Sequence, residues 1–105
     1  MKMVAPEELT FDRFEKLLNS RFRVRADTGL VEVELVEVTR NREQPGNVSD
    51  SFSLVFAGPL KAFLAQKTYR FEQDGFGSFD LFIVPTGKDA NGFRYEAIFN
   101  RATKG

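Results

Sequence analysis

The sequence has no cysteine and no histidine among its 105 residues. Without cysteine, the chain has no disulfide, no thiolate nucleophile and no cysteine-ligated metal. Without histidine, it lacks the usual general base near neutral pH and the commonest metal ligand. Serine–histidine triads, zinc hydrolases and cysteine peptidases are therefore excluded. A Ca²⁺ or Mg²⁺ site built from oxygen ligands alone needs neither residue and is left open.

An excess of one charge is missing too, as are long apolar runs. Lys and Arg number 15 and Asp and Glu number 15, which gives a formal net charge of zero. Nucleic-acid-binding domains usually carry a basic excess, so no nucleic-acid partner is expected. No apolar run approaches the roughly 20 residues that span a bilayer, and the first residues lack the apolar segment of a secretory signal. We expect a cytoplasmic protein that does not bind membranes.

Phenylalanine is what the chain has in excess, with 12 residues in a hydrophobic fraction of 42%. Large aromatic side chains bury the most area per residue, so a chain of one-domain length can build a compact core from them. We expect a single domain over residues 1–105. It would comprise an arm over 1–9, a helix over 10–18, a β-rich body over 21–100 and a loose tail over 101–105.

A short helix is predicted to follow the arm. Thr10 suits the N-cap position because its side-chain oxygen can accept a hydrogen bond from a backbone N–H of the first turn. After it, Phe11, Phe14, Leu17 and Leu18 recur at three- and four-residue steps and form one apolar face. Because the helix is short, packing must hold it in place.

The body alternates between apolar and polar residues in about six strands, which we place at 21–26, 30–39, 51–56, 68–73, 78–84 and 93–100. Residues 41–50 are predicted to be a mobile loop, and residues 60–67 a loop with at most one helical turn. Since no helix alternates with the strands, the sheet should be antiparallel. We expect a mainly β, α+β fold, in which these strands form a small barrel or a two-layer sheet with the one short helix.

One of these strands differs from the others. Residues 78–84 are nearly apolar on both faces. Such a strand is usually central in its sheet. We therefore expect it to be covered on both sides.

The first two strands allow a test of register. A two-residue loop at 28–29 would place Arg25 opposite Glu32 and Arg23 opposite Glu34, with apolar pairs on the other face. Arginines interleaved with aromatic residues can bind nucleic acid, but these carboxylates would neutralise them. Glu32 and Glu34 could instead hold a cation or act as an acid–base pair, yet no third convergent group is evident. We favour a solvated structural ladder.

One aromatic residue is a candidate partner contact. Residues 74–78 are Gly-rich, but phosphate-binding loops need a following helix or a Lys-Ser/Thr signature, and here a strand follows. We expect a hairpin turn, in which Phe76 either folds back on the core, the interpretation we favour, or is presented to a partner. Residues 88–92 lack the ligand pattern of a Ca²⁺ loop and are expected to be a turn. Tyr69 and Tyr95 are expected to be core residues with their hydroxyls in water.

Several stretches resemble a known family. The weaker ones are residues 9–22, 35–38 and 58–72, and the strongest is 75–85 (GFGSFDLFIVP), followed by 94–100 (RYEAIFN). Together they resemble the small bacterial domain-of-unknown-function family numbered 6916, over nearly the whole chain. The chain departs from the family pattern at residues 41–50 and 60–67.

The resemblance implies no known activity and no cofactor, so it identifies no catalytic residue. Members of the family accompany phage-tail-collar-like proteins, which implies a structural or assembly role. Four polar residues in and near the strongest block are expected to be structural: Arg70, Asp80, Arg94 and Glu96. Of these, Arg70 and Asp80 are expected to lie opposite each other across a hairpin.

From the residues and the resemblance we expect a non-enzymatic structural or protein-interaction module, an accessory of a phage-tail-like assembly, with no catalytic, cofactor or metal residue. Its partner would be a second copy or a phage-tail-like neighbour. The alternative is a small-ligand-binding β-barrel, with the ligand between Phe and Tyr side chains, which needs an interior cavity. A third hypothesis is an enzyme that uses carboxylates alone, with Glu32 and Glu34 as the candidates.

Overall fold

The fold comes from a computed structural model that describes residues 1–40 and 48–103. A 3₁₀ turn (Pro6–Glu8) and the helix α1 (Phe11–Glu15) precede six strands. The strands are β1 (Arg21–Ala26), β2 (Gly29–Arg40), β3 (Val48–Gly58), β4 (Lys67–Gln73), β5 (Gly77–Asp89) and β6 (Gly92–Thr103). They form a closed barrel in the order β1-β2-β3-β6-β5-β4, and every ladder is antiparallel. The expected small antiparallel barrel with one short helix is confirmed.

The barrel closes through a pairing between β1 and β4, which are distant in sequence. Val24 lies opposite Phe71, and the pairs on either side join arginines of β1 to polar residues of β4. Alternate residues of each strand face the interior and the outside. The closing pair therefore puts an apolar seam inside and a charged seam outside.

Aromatic rings fill the interior. Phe22, Phe56, Phe71 and Phe79 are at most 1% exposed, and contacting pairs among them have ring centroids 5.1 to 6.4 Å apart. These distances are typical of edge-to-face and offset-stacked rings. On α1, the fully buried Phe14 packs across one end of the barrel, where it contacts rings at the ends of β3, β5 and β6.

The helix begins as predicted but is shorter. The Thr10 side chain accepts a hydrogen bond from the Arg13 backbone N–H at 3.3 Å, which confirms the N-cap. α1 ends at Glu15 instead of Leu18, and the next residues form turns whose N–H groups bond to carbonyls three residues earlier. Asn19 then takes a left-handed conformation (φ 73°), which asparagine tolerates better than most residues and which turns the chain into β1.

The predicted register of β1 and β2 is wrong by two residues. Arg23 lies opposite Glu32, and the pair Ala26–Gly29 closes a loop over residues 27–28. Gly29 has φ 127°, a conformation that suits glycine and fixes the end of this turn. A shift of two residues leaves every side chain on its expected face, so the apolar pattern could not reveal the error.

A slip of the alternation in β2 near residue 36 marks a β-bulge. Leu35 pairs with Phe56 and Glu37 pairs with Val55, so Val36 has no counterpart on β3. The extra residue restores the phase of the alternation beyond it.

β5 is longer than predicted. The turn between the strands predicted at 78–84 and 93–100 occupies only residues 90–91, because β5 continues through Pro85 to Asp89. A register shift between Pro85 and Gly87 absorbs one extra residue. A bulge is one of the few strand positions that tolerate proline.

β6 also exceeds its predicted length. It reaches Thr103, so residues 101–103, expected in the loose tail, are paired with residues 48–50 of β3. Those residues of β3 were expected in the mobile loop. The remaining loop and tail predictions, for residues 41–47 and 104–105, lie outside the described residues.

The expectation that residues 78–84 are covered on both faces is wrong. Phe79, Leu81 and Ile83 point into the barrel and are buried, whereas Phe82 is 50% exposed. A single closed sheet has only one interior. The second apolar face of β5 therefore lies on the outside of the barrel.

Candidate functional site

Phe76 lies in the turn between β4 and β5, and its ring folds back towards the core. Its backbone N–H donates to the Gln73 carbonyl at 3.1 Å. The ring contacts Phe14 and Phe79, with centroids 5.6 and 5.5 Å away. The fold-back interpretation is therefore confirmed, and a partner contact at Phe76 stays a prediction.

The Phe76 ring is only partly covered and forms the floor of a surface pocket of about 510 Å³. We call it the Phe76 pocket. Besides the turn itself, its walls come from the N-terminal arm (Lys2, Val4, Glu8) and from α1 and the turn after it (Arg13, Lys16, Leu17).

The arm reaches the pocket because it pairs with the start of β5. The Ser78 backbone N–H donates to the Lys2 carbonyl, and the Val4 N–H donates to the Ser78 carbonyl, each at 2.8 Å. The approach is close at Gly77, where an added Cβ would lie 2.6 Å from the Lys2 carbonyl oxygen. Gly77 also has φ 129°, so glycine is required there on two grounds. This pairing places Lys2 and Val4 in the pocket wall.

The pocket has a local excess of positive charge. Lys2, Arg13 and Lys16 face one carboxylate, that of Glu8, which lies 3.3 Å from the Arg13 guanidinium. The same guanidinium lies 5.7 Å from the centroid of the Phe76 ring. Within the described part of the chain, neither Lys2 nor Lys16 has an ion-pair partner.

The arginines of β1 form the structural ladder that we expected, but mostly with other carboxylates. Arg25 Nε lies 2.6 Å from Glu72 Oε2, and Arg23 lies 3.0 Å from Asp74 and 3.8 Å from Glu72. The hydrogen bond from Arg25 is the main cause that lowers the pKa of Glu72. These carboxylates come from β4 and its turn, which sequence reasoning missed because the β1–β4 pairing is non-local.

Glu32 and Glu34, the candidates for an acid–base pair or a cation site, both lie on the outward face of β2. Glu32 is paired with Arg21 at 3.2 Å. Both glutamates line a shallow pocket of about 360 Å³ that also contains Arg21 and Arg94. In residues 1–40 and 48–103, no group of three or more acidic side chains is placed to hold a metal ion. The ion pair of Glu32 is part of the ladder on the barrel wall.

The polar residues of the β4–β5–β6 region are paired in part as predicted. Arg70 lies opposite Asp80, with Nε 2.6 Å from Oδ1. Arg94 pairs with Asp89 at 3.2 Å, and the Asp89 side chain also accepts hydrogen bonds from the backbone of the turn at residues 91–92. The turn expected over residues 88–92 is thus limited to residues 90–91 and is capped by Asp89.

The two tyrosines are core residues, as expected, but their hydroxyls have specific partners. The Tyr95 hydroxyl accepts from the Leu64 N–H at 2.9 Å, and the Tyr69 hydroxyl donates to the Ala65 carbonyl at 2.8 Å. Burial raises the pKa of both phenols. The two residues hold the loop between β3 and β4 against the barrel.

A second surface feature lies on the outside of β3, β6 and β5. Glu96 is flanked by Val55 on one side and Val84 on the other. Two residues further along, Ile98 and Phe82 are 64% and 50% exposed. We call these four apolar residues (Val55, Phe82, Val84, Ile98) the outer apolar face. The signal for it was the apolar character of both faces of β5, which we had assigned to burial.

Comparison with known proteins gives one match. The model of a family described as a domain of unknown function (DUF6916) matches residues 9–99. That range contains α1 and most of the barrel, but not the three arm residues of the Phe76 pocket. No curated protein and no solved structure matches the chain. None of the helices in the described residues is long and apolar enough to cross a membrane.

Proposed function

Because the chain belongs to the DUF6916 family of domains of unknown function, its role must be argued from its surface, and we propose a non-enzymatic protein-interaction module. The observation that carries this proposal is the outer apolar face. Phe82 and Ile98 lie next to the point where the β5–β6 ladder ends, at the pair Val84–Glu96. Exposed apolar side chains grouped on one face of a small domain are typical of an interaction surface.

The outer apolar face is too small to be a complete interface by itself, but its residues can supply part of the binding energy. Burial of one large apolar side chain contributes about 1.5–3 kcal/mol. A micromolar complex needs about 8 kcal/mol, so Phe82 and Ile98 would supply part of the binding energy and the polar rim would set specificity. Glu96 lies within the face and has no ion pair with a described residue, so a partner with a basic residue beside its apolar side chains would fit best.

We further propose that the partner belongs to a phage-tail-like assembly in the bacterial cytoplasm. The support is the association with phage-tail-collar-like proteins that the family resemblance implies, together with a surface suited to packing against protein. In such an assembly the domain would act as a structural accessory, and a second copy of the chain is the other candidate partner.

The alternative of a ligand held inside the barrel has no support. Phe22, Phe56, Phe71 and Phe79 occupy the interior and contact one another. For the hypothesis of an enzyme based on carboxylates, the ion pair between Glu32 and Arg21 is an argument against Glu32 as the acting group.

Native mass spectrometry tests the proposal. The purified chain is measured over a range of concentrations, alone and mixed with the purified products of the neighbouring genes. The double variant Phe82→Ser/Ile98→Ser removes the face. A matched control, Leu30→Ser/Leu60→Ser, removes two exposed leucines elsewhere (60% and 48% exposed).

A complex or oligomer that the face variant loses and the control variant keeps would support the proposal. A complex that survives loss of the face would contradict the assigned surface. A chain that stays monomeric with every neighbour and turns over a substrate would contradict the non-enzymatic role.

A further inference from the structure

We propose that the Phe76 pocket binds an acidic segment of a partner protein. A carboxylate of the segment would lie between Lys2 and Lys16, and an adjacent apolar side chain would pack on the Phe76 ring. The inference rests on the proposed function, since it takes the partner to be a protein, but it concerns a different surface and different residues.

The floor of the pocket is apolar and held in place. The Phe76 ring is fixed by its contacts with Phe14 and Phe79. Val4 beside it is buried, and its backbone is tied to β5 by the hydrogen bond to Ser78. An apolar side chain that enters the pocket therefore meets a surface that is already formed and need not be ordered on binding.

The rim of the pocket is cationic. Three basic side chains and one carboxylate leave a local charge of two positive units in a chain whose net charge is zero. Glu8 engages Arg13, which leaves Lys2 and Lys16 as the cations without an ion-pair partner among the described residues. Cations beside an apolar floor are complementary to a carboxylate that is adjacent to an apolar group.

The apolar floor discriminates between anions. A free phosphate has no apolar group to cover the Phe76 ring, whereas an acidic peptide supplies an apolar side chain beside its carboxylate. The volume of about 510 Å³ lies within the range of pockets that hold a small ligand, and it accommodates a few side chains of an extended segment. These features favour an Asp- or Glu-containing peptide over a free phosphate.

The test is a calorimetric titration of the full chain with an acetylated, amidated peptide of alternating Asp and Phe. A second peptide with Asn in place of Asp keeps the shape and removes the charge. We expect the Asn peptide to bind about tenfold more weakly, and added salt to weaken only the Asp peptide. Amide shifts in a ¹⁵N spectrum should locate the bound peptide at Gly75 and Phe76.

The protein variant that tests the rim is Lys2→Glu/Lys16→Glu, with Lys61→Glu/Lys88→Glu as its control. Both change the net charge equally, and all four lysines are exposed, but only the first pair lines the pocket. We expect the pocket variant to lose about tenfold in affinity for the Asp peptide and the control to lose less than about twofold.

Three results would overturn the inference: equal affinity for the two peptides, equal affinity of the two lysine variants, or inorganic phosphate that shifts the same amides and displaces the Asp peptide. None of them bears on the outer apolar face. A complex in the mass spectrometer that withstands Lys2→Glu/Lys16→Glu and is lost in Phe82→Ser/Ile98→Ser would leave the proposed function standing and reject the pocket as a contact.

Discussion

Two aromatic side chains of the β4–β5 hairpin lie in opposite surroundings. In the turn before β5, Phe76 packs on Phe14 and Phe79 at centroid distances of 5.6 and 5.5 Å. Further along, Phe82 projects from the barrel wall and is 50% exposed. A turn at the end of a barrel lies over the interior, whereas every second residue of a wall strand must face outward. Closure of the barrel thus decides where a ring lies, more than the local element does.

The difference between inward and outward rings is tested most directly by two substitutions three residues apart in β5. Phe79 is 1% exposed and contacts four other rings, so Phe79→Ala should lower the free energy of unfolding by about 3–5 kcal/mol. Phe82→Ala should lower it by less than about 1 kcal/mol. Urea denaturation measures both. Equal losses would mean that the outward face is packed in the free protein.

Two glycine substitutions test whether the close approach of the N-terminal arm at Gly77 stabilises the end of the barrel that carries the Phe76 pocket. Gly77→Ala adds a Cβ at φ 129° and 2.6 Å from the Lys2 carbonyl oxygen, so we expect a loss of about 1–3 kcal/mol. Gly87→Ala is the control, because its Cβ would meet no atom within 4 Å, and we expect a change below about 0.5 kcal/mol.

Hydrogen exchange shows whether the arm is what Gly77→Ala releases. The Val4 amide donates to the Ser78 carbonyl at 2.8 Å. Its hydrogen should therefore exchange faster in Gly77→Ala, whereas its exchange rate in Gly87→Ala should equal that of the wild type. Protection of this amide that survives Gly77→Ala would show that the arm docks without a close approach at residue 77.

The Phe76 ring itself should have an intermediate effect. Its burial is partial, so Phe76→Ala should cost about 1–2 kcal/mol, less than Phe79→Ala and more than Phe82→Ala. Phe76→Leu, which keeps an apolar side chain on the core, should recover part of that loss. A thermal melt in which Phe76→Ala matches the wild type would show that the ring is not held against Phe14.

The apolar alternation predicted the inside of this barrel well, and the reason is local. Phe52, Leu54 and Phe56 recur with the period of a strand, and all three are buried. The β-bulge in β2 leaves a local sign for the same reason, because an extra residue shifts the phase of the pattern. The register of the first hairpin was predicted wrongly, because a two-residue shift changes no face.

The features that the sequence did not predict depend on contacts between distant segments. Glu72 became the partner of Arg25 only because β4 closes the barrel against β1. The Phe76 pocket needs the arm to pair with Ser78, and Gly77 was the one local sign of that approach. Phe76 itself could be singled out from the sequence, since an aromatic residue in a Gly-rich turn is unusual, but its cationic neighbours could not.

The last and smallest contrast is electrostatic. It lies between the paired arginines on the barrel wall and the two lysines of the Phe76 pocket, which have no ion-pair partner among the described residues. Glu72 Oε2 lies 2.6 Å from Arg25 Nε and Glu72 Oε1 lies 3.8 Å from Arg23 Nε. The hydrogen bond from Arg25, together with the charges of both arginines, holds the pKa of Glu72 below its ordinary value of 4.5, against the opposing effect of burial. The ionised form is therefore favoured more in the folded chain than in the unfolded chain.

Because the pKa of Glu72 is lower in the folded chain than in the unfolded chain, the direction in which stability depends on pH is known. The stabilisation by Glu72 is fully present above about pH 4.5 and is lost as the pH falls through the folded pKa. Glu72→Gln should therefore lower the melting temperature at neutral pH, and its difference from the wild type should narrow below about pH 4.5. Glu7→Gln, at an exposed carboxylate with no ion pair to a described residue, should match the wild type throughout. A Glu72→Gln difference that persists unchanged into acid would mean that the side chain acts through its shape and not its charge. The contrast with the lysines of the Phe76 pocket would then lose its electrostatic basis.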